Sequence, residues 1–189
     1  MKSKSSNPSR TLRRNDSDRK PRKARAVARS HRHTSVKNEF RFDAIVFDGD
    51  DTLWRTQHLY DRAKDKFEYL CKQLGVWDSK VRGRLDALDS DRVKLLGFTP
   101  ARFPGSMVQT LKMYLATHNL PLSRVATGRA RYIGRHVFKT KVSLQPSARA
   151  VLRHLFRRYR LILLTKGDKA IQLRRLRETN LTKYLSAAI

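Results

Sequence analysis

The chain has 189 residues, of which 39% are hydrophobic, and a formal net charge of +27. That length fits one domain, or one core with a modest insertion. The single cysteine, Cys71, excludes an intrachain disulfide and points to a reducing compartment. The longest apolar run, Leu161-Ile162-Leu163-Leu164, is strand-sized, far short of the roughly 18 residues of a membrane span. The N-terminus also lacks the apolar middle of a secretory signal. Between Arg92 and Gly167 there are 16 Lys/Arg and no acid. A field this positive draws nucleic acid, anionic membrane surfaces or phosphorylated small molecules, and does not choose among them.

Residues 1–39 read as a basic disordered tail. Residues 1–40 hold 13 Lys/Arg against 3 acids and almost no large apolar side chain. Such a segment buries too little surface to offset its ordering entropy. Its sub-run Arg19-Lys20-Pro21-Arg22-Lys23-Ala24-Arg25 has four readings: a solvated tail, a nuclear signal, a non-specific nucleic-acid arm, or an organellar transit peptide.

The folded part starts near Phe40. Phe42–Phe47 is a predicted buried strand, short, apolar and ended by Asp and Gly. Thr56–Leu74 is a predicted helix with Leu59, Ala63, Phe67 and Leu70 inward and Gly75 at its stop. Val81–Leu96 is a second helix. Ser106–His118 is a third, bounded by Pro104-Gly105. Leu122–Phe138 is a fourth, interrupted at Gly128 and Gly134. Pro146 and Ser147 open a fifth, with Val151, Leu152, Leu155, Phe156 and Tyr159 on its apolar side and Arg149, Arg153 and Arg157 in a row on another. Leu161–Leu164 is a second buried strand. Lys169–Asn180 is a last helix, and Ala187-Ala188-Ile189 opens a further strand. The order predicts an α/β core interrupted after its first strand by an insertion of helices.

The first strand ends in Asp48-Gly49-Asp50-Asp51-Thr52-Leu53-Trp54. Three carboxylates that close repel one another unless something cationic joins them. At the carboxyl edge of a parallel sheet, where ligands bind, a metal ion with a phosphate ester meets that need. Asp48 and Asp50 face one pocket if the turn is tight. Gly49 lets the backbone approach a ligand, offering its own N–H and that of Asp50. Asp51 reads as merely exposed, Trp54 as a core or cap contact, and Asp168 as the N-cap of the last helix. Arg124, Arg129, Arg131, Arg135, Lys139 and Lys141 read either as an anion-attracting surface or as a solvated face. The six His show no metal-ligand spacing.

These residues resemble the haloacid dehalogenase-like hydrolase superfamily. Asp48-Gly49-Asp50-Asp51-Thr52-Leu53 after an apolar strand is similar to its first motif, Asp-x-Asp-x-Thr. Leu161–Thr165, followed by Lys166-Gly167-Asp168, is similar to its second. The separation of about 110 residues resembles that of members with a helical cap. The resemblance implies an α/β fold with a Rossmann-like parallel sheet. It divides the chain into a core of residues 40–55 and 142–189 and a helical cap of residues 56–141. It further implies a Mg²⁺-dependent phosphatase. Asp48 would be the nucleophile and a metal ligand. Asp50 would be the general acid and then base, with its main-chain carbonyl on the metal. Gly49, Thr165 and Lys166 would hold the phosphate, and Thr52 would support the turn. The superfamily's later Lys or Arg and its acidic pair have no counterpart before Ile189, so the expectation is a core truncated at its C-terminus.

The partner expected is therefore a small phosphorylated metabolite, in the cytoplasm or wherever the basic N-terminus directs the chain. The alternative is a catalytically impaired relative that binds nucleic acid or serves as an interaction module. A third reading is a nonfunctional fragment. Substrate identity and oligomeric state are not written in the sequence.

Overall fold

In chain order the elements are β1 (Ala44–Phe47), β2 (Trp54–Arg55), α1 (Gln57–Gln73), α2 (Val81–Leu96), α3 (Arg102–Thr117), α4 (Arg124–Lys139), β3 (Ser143–Leu144), α5 (Ala148–Leu155), β4 (Arg160–Leu164), α6 (Lys169–Glu178) and β5 (Ser186–Ala188). This is a computed structural model. It describes residues 42–188, with side chains as far as Ser186. The predicted basic tail, residues 1–39, lies outside the described residues.

β1 runs parallel to β4, with Ala44 opposite Arg160 and Phe47 opposite Leu163. β4 runs parallel to β5, giving the order β1-β4-β5. Parallel neighbours need a crossover connection, and here the first one contains α1 to α5. Two short antiparallel strands, β2 and β3, lie where the chain leaves the sheet region and where it returns, pairing Trp54 with Leu144 and Arg55 with Ser143. The sequence offers no pattern long enough to foresee them.

Apolar side chains divide into two clusters. One is built by α1 to α4, around Phe67, Leu85, Phe103, Met107, Leu111 and Val137. The other joins the sheet to α5 and α6, around Trp54, Leu152, Leu161, Leu163, Leu176 and Leu181. Val142 packs against both.

Helix ends follow local chemistry. Gly75, at φ +72°, closes α1: its N–H bonds Lys72 O at 3.1 Å and the next N–H, of Val76, bonds Cys71 O at 3.0 Å. That pair of bonds is a Schellman motif, for which glycine's freedom at positive φ suits. Asn119 and Asn180 close α3 and α6 in the same way at φ 53° and 55°.

Three helix expectations need correction. α3 begins at Arg102, ahead of the predicted boundary, because proline fits the first turn, where its missing N–H has no partner to lose. α4 is continuous through both glycines. At Gly134 an added Cβ would lie 2.7 Å from Pro104 Cα, so this glycine allows the close approach of α4 to α3. Gly134→Val is expected to destabilise the fold by about 1–3 kcal/mol through overpacking, read from urea denaturation; an unchanged midpoint would refute the close contact. On α5, Leu152 is buried but Val151 and Phe156 are largely exposed, so the apolar side is narrower than predicted.

Candidate functional site

The turn after β1 is built on one carbonyl. Gly49 O accepts the N–H groups of Thr52, Leu53 and Trp54 at 3.3, 2.9 and 3.2 Å, and Asp51 N–H reaches Trp54 O at 2.7 Å. The Trp54 ring covers Gly49, and a Cβ there would lie 2.6 Å from the ring. Gly49 therefore serves packing against Trp54, and its N–H is taken by Asp48. Thr52 contributes its N–H to this turn and is otherwise exposed.

The three acids have three different environments. Asp48 is exposed; one carboxylate oxygen accepts the N–H of Gly49 at 2.8 Å and the other has no partner among the described residues. Asp50 is enclosed by donors. Arg175 Nη1 bonds both its oxygens, at 2.7 and 2.9 Å, Trp54 Nε1 bonds Oδ1 at 2.6 Å, and Gln172 Nε2 bonds Oδ2 at 3.3 Å. Arg175 projects from α6 and is buried. The cation that three adjacent carboxylates require is therefore supplied, for Asp50, by the chain itself.

Asp51 corrects its reading as a merely exposed acid. It adopts φ 58° and turns its carboxylate onto the start of α1. Oδ1 accepts the N–H groups of Thr56 and Gln57 at 2.8 and 3.0 Å, and Oδ2 accepts the Thr56 hydroxyl at 2.7 Å. Its own carbonyl takes the Gln145 side-chain amide at 2.8 Å, tying the turn to the returning chain. Burial works against its charge, but the bonds from Gln57 and Thr56 outweigh that and hold its pKa below the usual 3.8. A depressed carboxylate pKa stabilises the fold above the unfolded pKa and loses that contribution as pH falls through the folded one. Asp51→Ala should therefore cost about 1 kcal/mol at pH 7, and the gap to the parent should narrow below about pH 4. Denaturation midpoints across pH 2.5–7 read this, and a gap independent of pH would contradict it.

The second strand end lies on the same edge. β1 stops at Phe47 opposite Leu163 and β4 stops at Leu164, so Asp48 and Thr165 both leave the sheet at its carboxyl edge. Thr165 is buried, and among the described residues its hydroxyl makes only one long contact, 3.5 Å to Lys166 O. Lys166 is exposed beside Gly167, which has φ 120°. Asp168 caps α6 as expected, accepting the N–H of Ile171 at 3.0 Å.

Trp54, Gln172 and Arg175 are the site residues that the sequence reading missed or placed elsewhere. Trp54, by sequence a core or cap contact, is buried, and its indole N–H also serves the site. Arg175 had a weak signal, as a cation in the helix directly after the second strand end. It was lost among 43 Lys/Arg. Elsewhere, Arg129 of the predicted basic surface bonds Gln73 Oε1 at 2.7 Å. Among the described residues, no helix is long and apolar enough to cross a membrane.

No protein-family model and no curated protein matches the sequence. Solved structures do match. A haloacid dehalogenase-like family hydrolase from Xanthomonas campestris superposes with a TM-score of 0.66 at 22% identity, covering 78% of this chain and 61% of that one. The fold is that of the haloacid dehalogenase-like hydrolases. An L-2-haloacid dehalogenase from Xanthobacter autotrophicus matches with a TM-score of 0.44 at 19% identity, over 79% of this chain and 56% of that one. The chain thus spans less than two thirds of these structures. Within the haloacid dehalogenase-like fold, the strand ends bearing Asp48 and Thr165 belong to the parallel sheet expected from the sequence.

Proposed function

We propose that the chain is a phosphohydrolase of small phosphorylated metabolites, working through an aspartyl-phosphate on Asp48. The observation that supports it best is the division among the three acids. Asp50 and Asp51 are committed to donors, whereas Asp48 is exposed at the sheet edge with one oxygen unpartnered among the described residues. A nucleophile must present such a lone pair to the reacting atom. Asp50 would first take a proton from water on Oδ2, with Oδ1 still accepting from Arg175 and Trp54. Asp48 would then attack phosphorus while the ester P–O bond breaks and the leaving oxygen takes that proton. Water would then attack the phosphorus, return a proton to Asp50 and release inorganic phosphate with Asp48 restored. The Asp50 N–H, which has no acceptor among the described residues, and the Thr165 hydroxyl would hold the non-bridging oxygens. Arg175 and the Trp54 indole orient the Asp50 carboxyl for its proton transfers.

Mg²⁺ belongs to the same proposal. The Asp48 carboxylate and the Asp50 main-chain carbonyl are hard oxygen donors, and that carbonyl accepts no hydrogen bond among the described residues. No group of three or more His, Cys, Asp or Glu joins them among those residues. Mg²⁺ commonly binds one or two carboxylates, with water and substrate phosphate completing its shell, so these donors fit it. When bound it would offset negative charge and polarise the phosphoryl oxygen. Hydrolysis of p-nitrophenyl phosphate by the full chain tests the reading. Turnover that needs Mg²⁺ and stops on chelation is expected; no turnover with or without Mg²⁺ would overturn it.

A second reading has its own observation. Arg153, Arg157 and Arg158 surround an exposed depression beside His154 on and after α5. This face suits non-specific contact with a nucleic-acid backbone. Binding to random RNA or DNA should then weaken steeply as salt rises. Failure to bind at low salt would remove this reading.

A further inference from the structure

A face of α1 that carries none of the reacting residues forms a groove with α4. Leu59, Ala63, Ile133 and Val137 make the floor of a depression of about 160 Å³. A second depression, of about 400 Å³, continues it past Lys66 and Tyr132 to Tyr69 and Gly128. Leu59 shares the first with Thr140, and Tyr69 shares the second with Gly128, so the two helices run antiparallel along the groove. From Leu59 to Tyr69, at a helical rise of about 1.5 Å per residue, it is roughly 15 Å long. At its far end Arg129 bonds Gln73 Oε1 at 2.7 Å and ties the two walls together.

The rim is cationic. Arg62 and Lys66 stand one helical turn apart on α1, both exposed, and pair with no acid among the described residues. The acids of the same helix are engaged elsewhere: Asp65 and Glu68 hold Arg82 of α2, and Asp61 takes the Gln57 amide. No acid lines either depression. On the other wall Tyr132 is 70% exposed and stacks on His136, with ring centres 6.2 Å apart. Exposed tyrosine and arginine around an apolar floor is the make-up of a protein interface. Gly128 adds room. Gly134 on the same helix makes way for Pro104, but a Cβ at Gly128 would meet nothing within 4 Å. Glycine inside a helix is costlier than alanine, and close approach of another backbone is a use for the space it leaves.

We propose that this groove docks an acidic amphipathic helix of a partner protein. Two antiparallel helices leave a furrow into which a third packs its ridge, and the length suits about three turns. Apolar side chains at i, i+3, i+4 and i+7 of the partner would cover Ala63, Ile133 and Val137. Carboxylates flanking that stripe would meet Arg62 and Lys66. A second copy of this chain fits poorly, because 43 Lys/Arg against 16 acids would bring like charges together. A nucleic-acid backbone would satisfy the cations but leave the apolar floor uncovered. The docking stands apart from the phosphohydrolase reading and does not depend on it.

Fluorescence anisotropy of the full chain at physiological salt, about 0.15 M, compares three labelled probes. One is a glutamate-rich helical peptide with leucine at i, i+3, i+4 and i+7. The second is its scramble, with the same composition and charge but no apolar stripe. The third is a single-stranded DNA of random sequence. The amphipathic peptide should bind about tenfold or more tightly than the scramble. Gly128→Leu puts a side chain into open space, so it should keep the melting temperature while weakening the peptide about tenfold or more. Arg62→Glu combined with Lys66→Glu should weaken it likewise, with folding checked by the thermal melt. Equal binding of the two peptides, native-like binding by a folded Gly128→Leu variant, or no binding of the amphipathic peptide would overturn the proposal. DNA that binds more tightly than the peptide, and is lost in both variants, would give the groove to nucleic acid and overturn it too.

Discussion

Asp50→Leu should lower the unfolding free energy by about 3 kcal/mol, and Arg175→Met should cost clearly less. The two side chains form one ion pair but differ in solvent access: Arg175 is 2% exposed and Asp50 33%. Removing Asp50 strands a guanidinium in the core, together with the Trp54 indole N–H that Asp50 accepts. Removing Arg175 leaves a carboxylate that water can partly reach, and Met refills much of the volume. Because Asp50 is partly solvated, the lower end of the range for broken buried pairs applies. The double variant should recover part of the loss, since apolar replacement of a whole buried pair is often neutral. Urea denaturation of the three variants tests this. Equal losses in the two single variants, or a loss under about 1 kcal/mol for Asp50→Leu, would show that the pair is screened. The result also bears on kinetics, because Asp50 is a structural anchor as well as the proposed proton donor. Lost activity in Asp50→Leu must be separated from lost fold.

Asp48→Asn should reduce phosphate-ester hydrolysis by about 10³-fold or more, while stability changes by no more than about 0.5 kcal/mol. Its side chain is exposed, and its one hydrogen bond, from the Gly49 N–H, can be made equally by the Asn carbonyl. The amide cannot supply the anionic oxygen that attacks phosphorus. Steady-state rates on p-nitrophenyl phosphate and thermal melts of both proteins decide it. A variant that keeps its turnover would place the nucleophile elsewhere. One that loses activity and stability together would make Asp48 structural.

Much of the fold was legible because its signals are local. Apolar tetrads ended by Asp48 and Thr165 marked β1 and β4. Leu59, Ala63, Phe67 and Leu70 marked α1, and Gly75 marked its end. Asp168 was readable as a cap from its place before α6. The errors had local causes too. Pro104 reads as a boundary, although the first turn of a helix accepts proline. Gly134 reads as an interruption, although its missing side chain serves contact with another helix. Asp51 reads as exposed, because its partners Thr56 and Gln57 become reachable only once the turn puts it at positive φ.

By itself the sequence determined the order of the helices and of β1, β4 and β5, the two strand ends and the residues that stand there. Each of these depends on neighbours within a few positions along the chain. Tertiary structure alone decided which of the three acids stays free. Asp50 meets Arg175 across 125 residues, and the buried guanidinium needs that carboxylate as its counter-charge. Clustered carboxylates in a sequence show that counter-charge is needed. Only packing shows that an arginine from the chain meets that need at Asp50, leaving Asp48 as the open oxygen.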